Sequence, residues 1–340
     1  MNVTELDKKI LFQLDMDGRA SFSEIARSIG STPQVVKYHY EQLMGRGIIK
    51  HFWAYIDYDK ADYSFFWGYW FKFAGLTKVI EDEMYTRLNA DPNVPIIMRA
   101  DGYADVQLAF ISKDIFNHNE MLQNFFTRYG QYVVSTDIFV GLGFIKFPRM
   151  YLVGEENKPQ TSALSGGTTK KIRLTEIDRK MMSLLLIDGR MEFTKIANIL
   201  GVSVGLVHKR YAKLRDTGVI TKISFTIDYP KIGLLLYRVC FKITQFDHKR
   251  IDDLYEFCSL HPNIIDYVKG MGSWELLLDI EIEDRASLRN LIRELKTKFK
   301  DIFQRVEINE IYQMDKFTQM AMEYPEMAKY ARPSSLIMYD

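Results

Sequence analysis

A chain of 340 residues with 47% hydrophobic residues is long enough for two or three domains with real cores, which excludes disorder as its main state. Its 45 Lys and Arg balance 44 Asp and Glu, and a formal charge of +1 excludes a polybasic coat and an acidic tail while leaving room for a local patch. Two cysteines, Cys240 and Cys258, exclude a disulfide scaffold and a four-thiolate zinc site, and read as reduced core residues.

The N-terminal stretch MNVTELDKKI has no basic region followed by an apolar run, so no secretion signal is expected and the protein is read as cytoplasmic. Thr4 caps a first helix whose apolar positions Leu6, Ile10, Leu11 and Leu14 recur near 3.6 residues, and Asp17-Gly18 ends it. A second helix is expected over Phe22 to Ile29 behind Ser21. Gly30 opens a tight turn, and Thr32-Pro33 caps a third helix with Val36, Tyr40 and Leu43 inward. Three short helices with such a turn between the last two form a helix-turn-helix pattern.

An extended segment, Ile48 to Ile56, leaves this head. Tyr63 to Phe73 follows, a strand apolar on both faces and too short to span a membrane. A helix over Val79 to Leu88, strands over Val94 to Arg99 and Asp105 to Ile111, a helix over Ile115 to Tyr129 and a strand over Val133 to Val140 complete a βαββαβ body. That order predicts a four-stranded antiparallel sheet with two helices on one face.

The whole unit then recurs. Thr4, Asp7, Asp17-Gly18-Arg19, Ile25-Ala26, Gly30, Val36, Leu43 and Asp57-Tyr58 meet Thr175, Asp178, Asp188-Gly189-Arg190, Ile196-Ala197, Gly201, Val207, Leu214 and Asp228-Tyr229 at a constant offset of 171. Farther on, Pro92-Asn93 pairs with Pro262-Asn263 and Gly102 with Gly272 at 170, one residue having been lost in a loop. The expected boundaries are a first head over 1–57, a first body over 60–151, a linker over 152–171, a second head over 172–228, a second body over 231–323 and a C-terminal extension over 324–340. The fold class is therefore α+β: tandem winged-type, three-helix heads, each followed by a βαββαβ ferredoxin-like domain.

The two heads differ in charge. Residues 1–50 carry seven Lys and Arg against six acids, whereas residues 165–223 carry twelve against five. Phosphate binding rests on local positive charge, so the second head is the better candidate for DNA. Its third helix presents His208, Lys209, Arg210, Lys213 and Arg215, with Lys170, Lys171 and Arg173 ahead of it; the first offers Lys37, Tyr38 and His39. Solvated helix faces and a protein-interaction module are the competing readings of these charges.

At this point the sequence resembles the Lrp/AsnC family of feast-or-famine transcriptional regulators, duplicated in one polypeptide. The resemblance rests on TEIDRKMMSLLLIDGRMEFTKIANILGVSVGLVHKRYAKLRDTGVITK and its weaker companion TELDKKILFQLDMDGRASFSEIARSIGSTPQVVKYHYEQLMGRGIIK. The family's third-helix arginine falls on Arg210 in the second copy and on His39 in the first. The resemblance implies a sequence-specific regulator of double-stranded DNA, bodies that pair within the chain or between chains, and a small-molecule effector such as an amino acid. That effector would sit at Gly102-Tyr103-Ala104-Asp105 and Gly272-Ser273-Trp274-Glu275, making Gly102, Asp105, Gly272, Trp274 and Glu275 the candidates. A plain hairpin with a surface carboxylate is the alternative for either loop.

Two other functions stay open: an architectural DNA-binding or assembly module, and an enzyme, because the resemblance extends to siroheme decarboxylases. Those enzymes carry histidines in the strand-loop region, where this chain reads VPIIMRADGYADV and IIDYVKGMGSWEL. No metal-ligand spacing or nucleophile–base pair is visible, so no catalytic residue, metal, cofactor or membrane partner is expected.

Overall fold

The computed structural model describes residues 3–330 apart from Ser64, 155–162, Thr169, 245–246 and Gln319. The first head comprises α1 (Glu5–Met16), α2 (Phe22–Ile29) and α3 (Pro33–Gly45). Thr4 with Asp7 and Ser21 with Glu24 form capping boxes that satisfy the first N–H groups of α1 and α2, and Thr32 with Pro33 starts α3. Gly30 closes α2 at φ 68°, a left-handed conformation that glycine adopts without strain. In the second head, α6 (Glu176–Ile187), α7 (Phe193–Leu200) and α8 (Val204–Asp216) repeat the arrangement, with Thr175 and Asp178 again forming a capping box and Ser203 capping α8.

Between the heads and the bodies lie β1 (Ile49–Ile56) and β7 (Ile220–Ile227). They pair with each other as a two-stranded antiparallel ribbon in which Phe52 faces Phe225. The ribbon is the first device that ties the repeats together. Arginines reinforce it: Arg19 donates to the carbonyls of Gly189 (2.7 Å) and Met191, and Arg190 returns the contact to Gly18 (2.6 Å) and Ala20. Each guanidinium also lies over aromatic rings of a head, Arg19 on Phe193 at 4.3 Å and Arg190 on Tyr40 at 5.3 Å.

The first body runs β2 (Phe65–Phe73), α4 (Lys78–Ala90), β3 (Ile96–Gly102), β4 (Val106–Ser112), α5 (Ile115–Tyr129) and β5 (Val133–Lys146), followed by a short β6 (Ala163–Ser165). The second runs β8 (Leu235–Ile243), α9 (His248–Leu260), β9 (Ile264–Gly272), β10 (Leu276–Ile282), α10 (Arg285–Lys298) and β11 (Phe303–Phe317). Instead of two separate four-stranded sheets there is one nine-stranded sheet, ordered β2-β4-β3-β11-β8-β10-β9-β5-β6, and β2 also pairs with β5. All strands but β6 thus close into a barrel with no free edge between the repeats.

Closure explains why the last strand of each body is longer than its local pattern predicts. Residues 133–141 of β5 pair with β2, and its continuation crosses to β9. Likewise β11 pairs with β8 through Ile311 and then with β3 as far as Phe317.

The two faces of β2 meet different surroundings. Tyr69 and Phe71 pack outward with Met84, Tyr85 and Phe125 of the helices. Phe66 and Trp70 pack inward in a core continuous with both heads. Cys240 and Cys258 are buried and free, in separate cores.

Two segments depart from a plain linker and tail. Ala163–Ser165 of the expected linker adds to β5, and Ser165 Oγ donates to Ile56 O at 2.8 Å. Pro325–Tyr330 forms a 3₁₀ turn whose Met327, Ala328 and Tyr330 join the apolar core that includes α6. Residues 155–162, Thr169 and the remainder of the expected extension, 331–340, lie outside the described residues.

Candidate nucleic-acid interface

The sequence of each third helix separates an inward row from an outward one. On α8, Val207 and Leu214 are buried while His208, Lys209, Lys213 and Arg215 are exposed; on α3, Val36 and Leu43 are buried while Gln34, Lys37 and Tyr38 are exposed. Helical spacing thus delivers one solvent-facing stripe per head. The stripes differ as expected: Lys37 stands 3.8 Å from Glu41, whereas the α8 stripe carries no acidic residue before Asp216. Tyr38 is 60% exposed, and His208 sits edge-on to Phe193.

Arg210 and His39 occupy equivalent positions, and both turn inward. Arg210 Nε lies 3.0 Å from Asp178 Oδ1, its Nη2 donates to Thr175 Oγ1, and the side chain is 18% exposed. His39 Nδ1 meets Asp7 Oδ1 at 2.7 Å. Burial pushes the Asp7 carboxyl up, but hydrogen bonds from His39 and Thr4 outweigh it and hold the group below its ordinary range. The structure therefore places these two on the capping box of each head's first helix, which leaves their exposed neighbours as the freer DNA-contact candidates. Arg210→Ala is expected to cost the second head about 1–3 kcal/mol, because Asp178 stays buried without its cation, while weakening DNA binding less than Lys209→Ala does. Thermal melting and a binding titration on both variants check this.

Ahead of α6, Lys170 and Arg173 are exposed, and Lys171 Nζ pairs with Asp62 of the first repeat at 2.8 Å. Ile172 N donates to Lys60 O, so this basic segment runs along the first repeat rather than trailing free.

The effector-candidate loops face each other across the repeats. Asp105 accepts from Lys72 Nζ (2.6 Å) and from Phe73 N (2.7 Å), and Glu275 does the same with Lys242 Nζ (2.6 Å) and Ile243 N (2.7 Å). Both acids thus already hold an internal cation. Gly102 and Gly272 have φ of 133° and 124°, and an added Cβ would fall 2.5 Å from Ile308 O and 2.4 Å from Ile138 O. Close passage of the other repeat's strand accounts for glycine there. Trp274 is fully buried, edge-on to Tyr103, with the Arg305 guanidinium 5.0 Å from both rings. These side chains fill the space between the loops.

The comparisons with known proteins follow this division. Residues 174–215 match the AsnC-type helix-turn-helix domain, and residues 3–50 match a winged helix-turn-helix DNA-binding model. The HTH-type transcriptional regulator FL11 of Pyrococcus horikoshii is 25% identical over 122 residues, which is 36% of this chain and 80% of the relative. FL11 of Pyrococcus furiosus is 22% identical over 119 residues, 35% of this chain and 78% of its own. Both heads are thus matched as helix-turn-helix domains, the second of the AsnC type. The chain carries two such heads, and one relative accounts for little more than a third of its length. Over the whole chain the fold is similar to that of the siroheme decarboxylase NirDL, with a TM-score of 0.61 and 15% identity, covering 96% of this chain and 97% of that one. Among the described residues no helix is long and apolar enough to cross a membrane.

A buried charge cluster between the first head, the ribbon and the barrel escaped the sequence reading. Arg149 bridges Asp15 (2.7 Å) and Glu281 (2.9 Å), Lys222 lies 3.6 Å from Asp15, Lys146 3.3 Å from Asp266, and Arg238 2.5 Å from Asp279. Tyr151 donates to Glu281. The group encloses a cavity of only about 20 Å³. Polar residues scattered over separate elements carry no shared spacing, but Asp15 inside the apolar run of α1 was one available signal.

Proposed function

We propose that this chain is a sequence-specific, DNA-binding transcriptional regulator in which α3 and α8 are the recognition helices of one covalent pseudo-dimer. One observation carries the reading: the β1–β7 ribbon and the reciprocal arginines fix the two heads to each other and leave both outward stripes exposed. Lys209, Lys213, His208 and Arg215 are the main contact candidates, with Tyr38 and Lys37 on the weaker head and Lys170 and Arg173 at phosphates. The match to HTH-type regulators over both heads supports it. Each body, with its βαββαβ order and outer helices, is read as ferredoxin-like.

Unequal stripes imply an asymmetric site, because nothing forces the half-sites to be alike. Selection from a random DNA pool with the purified chain is expected to recover one strongly specified half-site and one weak one at fixed spacing. Length-dependent coating without sequence preference would replace this reading by an architectural role.

The whole-chain likeness to NirDL favours an enzyme as the second reading. On the side occupied by the charge cluster the cavity between ribbon and barrel is only about 20 Å³, and on that ground we rank this reading second. Incubation with a tetrapyrrole, followed by its absorption band and by product formation, tests it directly.

A further inference from the structure

The repeat alignment brings two sites of the molecule into correspondence. Asp15 and Lys222 of the buried cluster align with Leu186 and His51 at the offset of 171, and Lys146, Asp266 and Glu281 align with Lys316, Ile96 and Ile111 at 170. In one copy the place is packed with paired charges. In the other, each of those carboxylates is replaced by an aliphatic side chain while the lysine of the last strand is retained.

The second place is a pocket of about 330 Å³. Leu186 and Ile187 of α6, Pro92 after α4, and Phe317 of β11 supply apolar walls, and Pro325 and Ala328 of the C-terminal turn lie over it. Lys316 and His51 are among the polar side chains that line it. Lys316 Nζ donates to the carbonyls of Asn89 (3.1 Å) and Asp91 (2.7 Å), neutral acceptors in place of the carboxylate that faces Lys146. His51 is 5% exposed, and its Nδ1 is buried with no hydrogen-bond partner. Burial of such a group without a partner is costly, and among the described residues none supplies its complement. Asp315 also lines the pocket, but Arg99 holds it at 2.6 Å.

We propose that this pocket binds a small apolar monocarboxylate, whose carboxylate takes the place of the repeat's missing acids between Lys316 and His51. The volume lies at the low end of the roughly 300–1,000 Å³ typical of small-molecule sites, which suits a medium-chain or aryl-substituted acid rather than a nucleotide. An ammonium and an imidazole N–H give the anionic end its partners, and the walls take the hydrocarbon. The burial that lowers Lys316 to about 8, opposed by Asp91, still leaves it mostly protonated at neutral pH. This site is separate from the loops at Gly102 and Gly272 and does not depend on the DNA-binding reading.

The test is calorimetric titration of the full chain with octanoate and 4-phenylbutyrate, each beside its primary amide. Both acids are expected to bind saturably and at least about tenfold more tightly than the amides. Lys316→Met should remove that preference while leaving the melting temperature near that of the parent. Ala328→Trp, on the turn over the pocket, should block acid and amide alike, with circular dichroism checking that the fold is kept. Equal binding of acid and amide, a preference that survives Lys316→Met, or no saturable heat with any of the probes would overturn the proposal.

Discussion

Replacing Arg149 by methionine is expected to lower the unfolding free energy by about 3–5 kcal/mol, the largest single-residue effect on stability that the charge cluster predicts. Arg149 is 2% exposed, its backbone N–H and Nη1 both reach Asp15, and its Nε and Nη2 reach Glu281. Around it the cations Lys146, Lys222 and Arg238 and the anions Asp15, Asp266, Asp279 and Glu281 balance. Methionine fits the apolar part of the space but strands two buried carboxylates. Urea unfolding measures the loss, and a value below about 1 kcal/mol would mean that the cluster relaxes around the gap.

The same cluster sets a pH dependence. Burial raises Asp15, but Lys222, Arg149 and Lys146 outweigh it and hold the carboxyl at about 2, against 3.8 for the free group. A carboxyl lowered in the fold contributes stability above its unfolded value, and that contribution disappears as pH falls from 3.8 toward 2. Lys222 gives a slope of the same sign at higher pH: burial lowers it to about 8 from 10.5, so the folded chain releases this proton first and stability rises from this group between those values. In Arg149→Met the Asp15 contribution should shrink, which a comparison of unfolding curves across the acid range would reveal.

The largest effect on DNA is expected from the double substitution Lys209→Ala/Lys213→Ala. If both lysines neutralise phosphates, the slope of log affinity against log salt should fall by about 2, and binding at low salt should weaken about tenfold or more. The matching change on the other head, Lys37→Ala, should do much less, since Glu41 already offsets that charge. Equal losses from the two heads would show that the charge asymmetry has no functional meaning. No loss from either would remove α3 and α8 from the interface.

Much of this architecture was legible in the sequence, for physical reasons that differ by element. The caps at Thr4, Ser21, Thr32, Thr175 and Ser203 were readable because capping is local: side chain and N–H lie three residues apart. Helix α5 falls on its expected bounds, Ile115–Tyr129, because Asp114 starts it, and α10 (Arg285–Lys298) repeats this start with Asp284. The final strands were read too short because the residues past Val140 and Ile311 pair with the other repeat, and nothing local encodes that partner. Arg210 is a DNA-contact candidate by helix spacing, which cannot tell that this cation bends back to Asp178. The cluster and the pocket were hidden, yet the repeat offset that revealed the duplication also aligns Asp15 with Leu186 and Lys222 with His51. Comparing the copies for where they differ, rather than where they agree, is what exposes them.

Closure of the barrel by strands from both repeats has a consequence for how the protein behaves in a cell. Two identical subunits assembling the same barrel would come apart on dilution and could exchange halves with related proteins. Here the halves meet at the effective concentration set by their tether, so assembly does not depend on expression level. Gene dosage then changes the number of complete units but not the fraction assembled. Among the described residues the eight barrel strands leave no vacant edge for a second subunit to pair with.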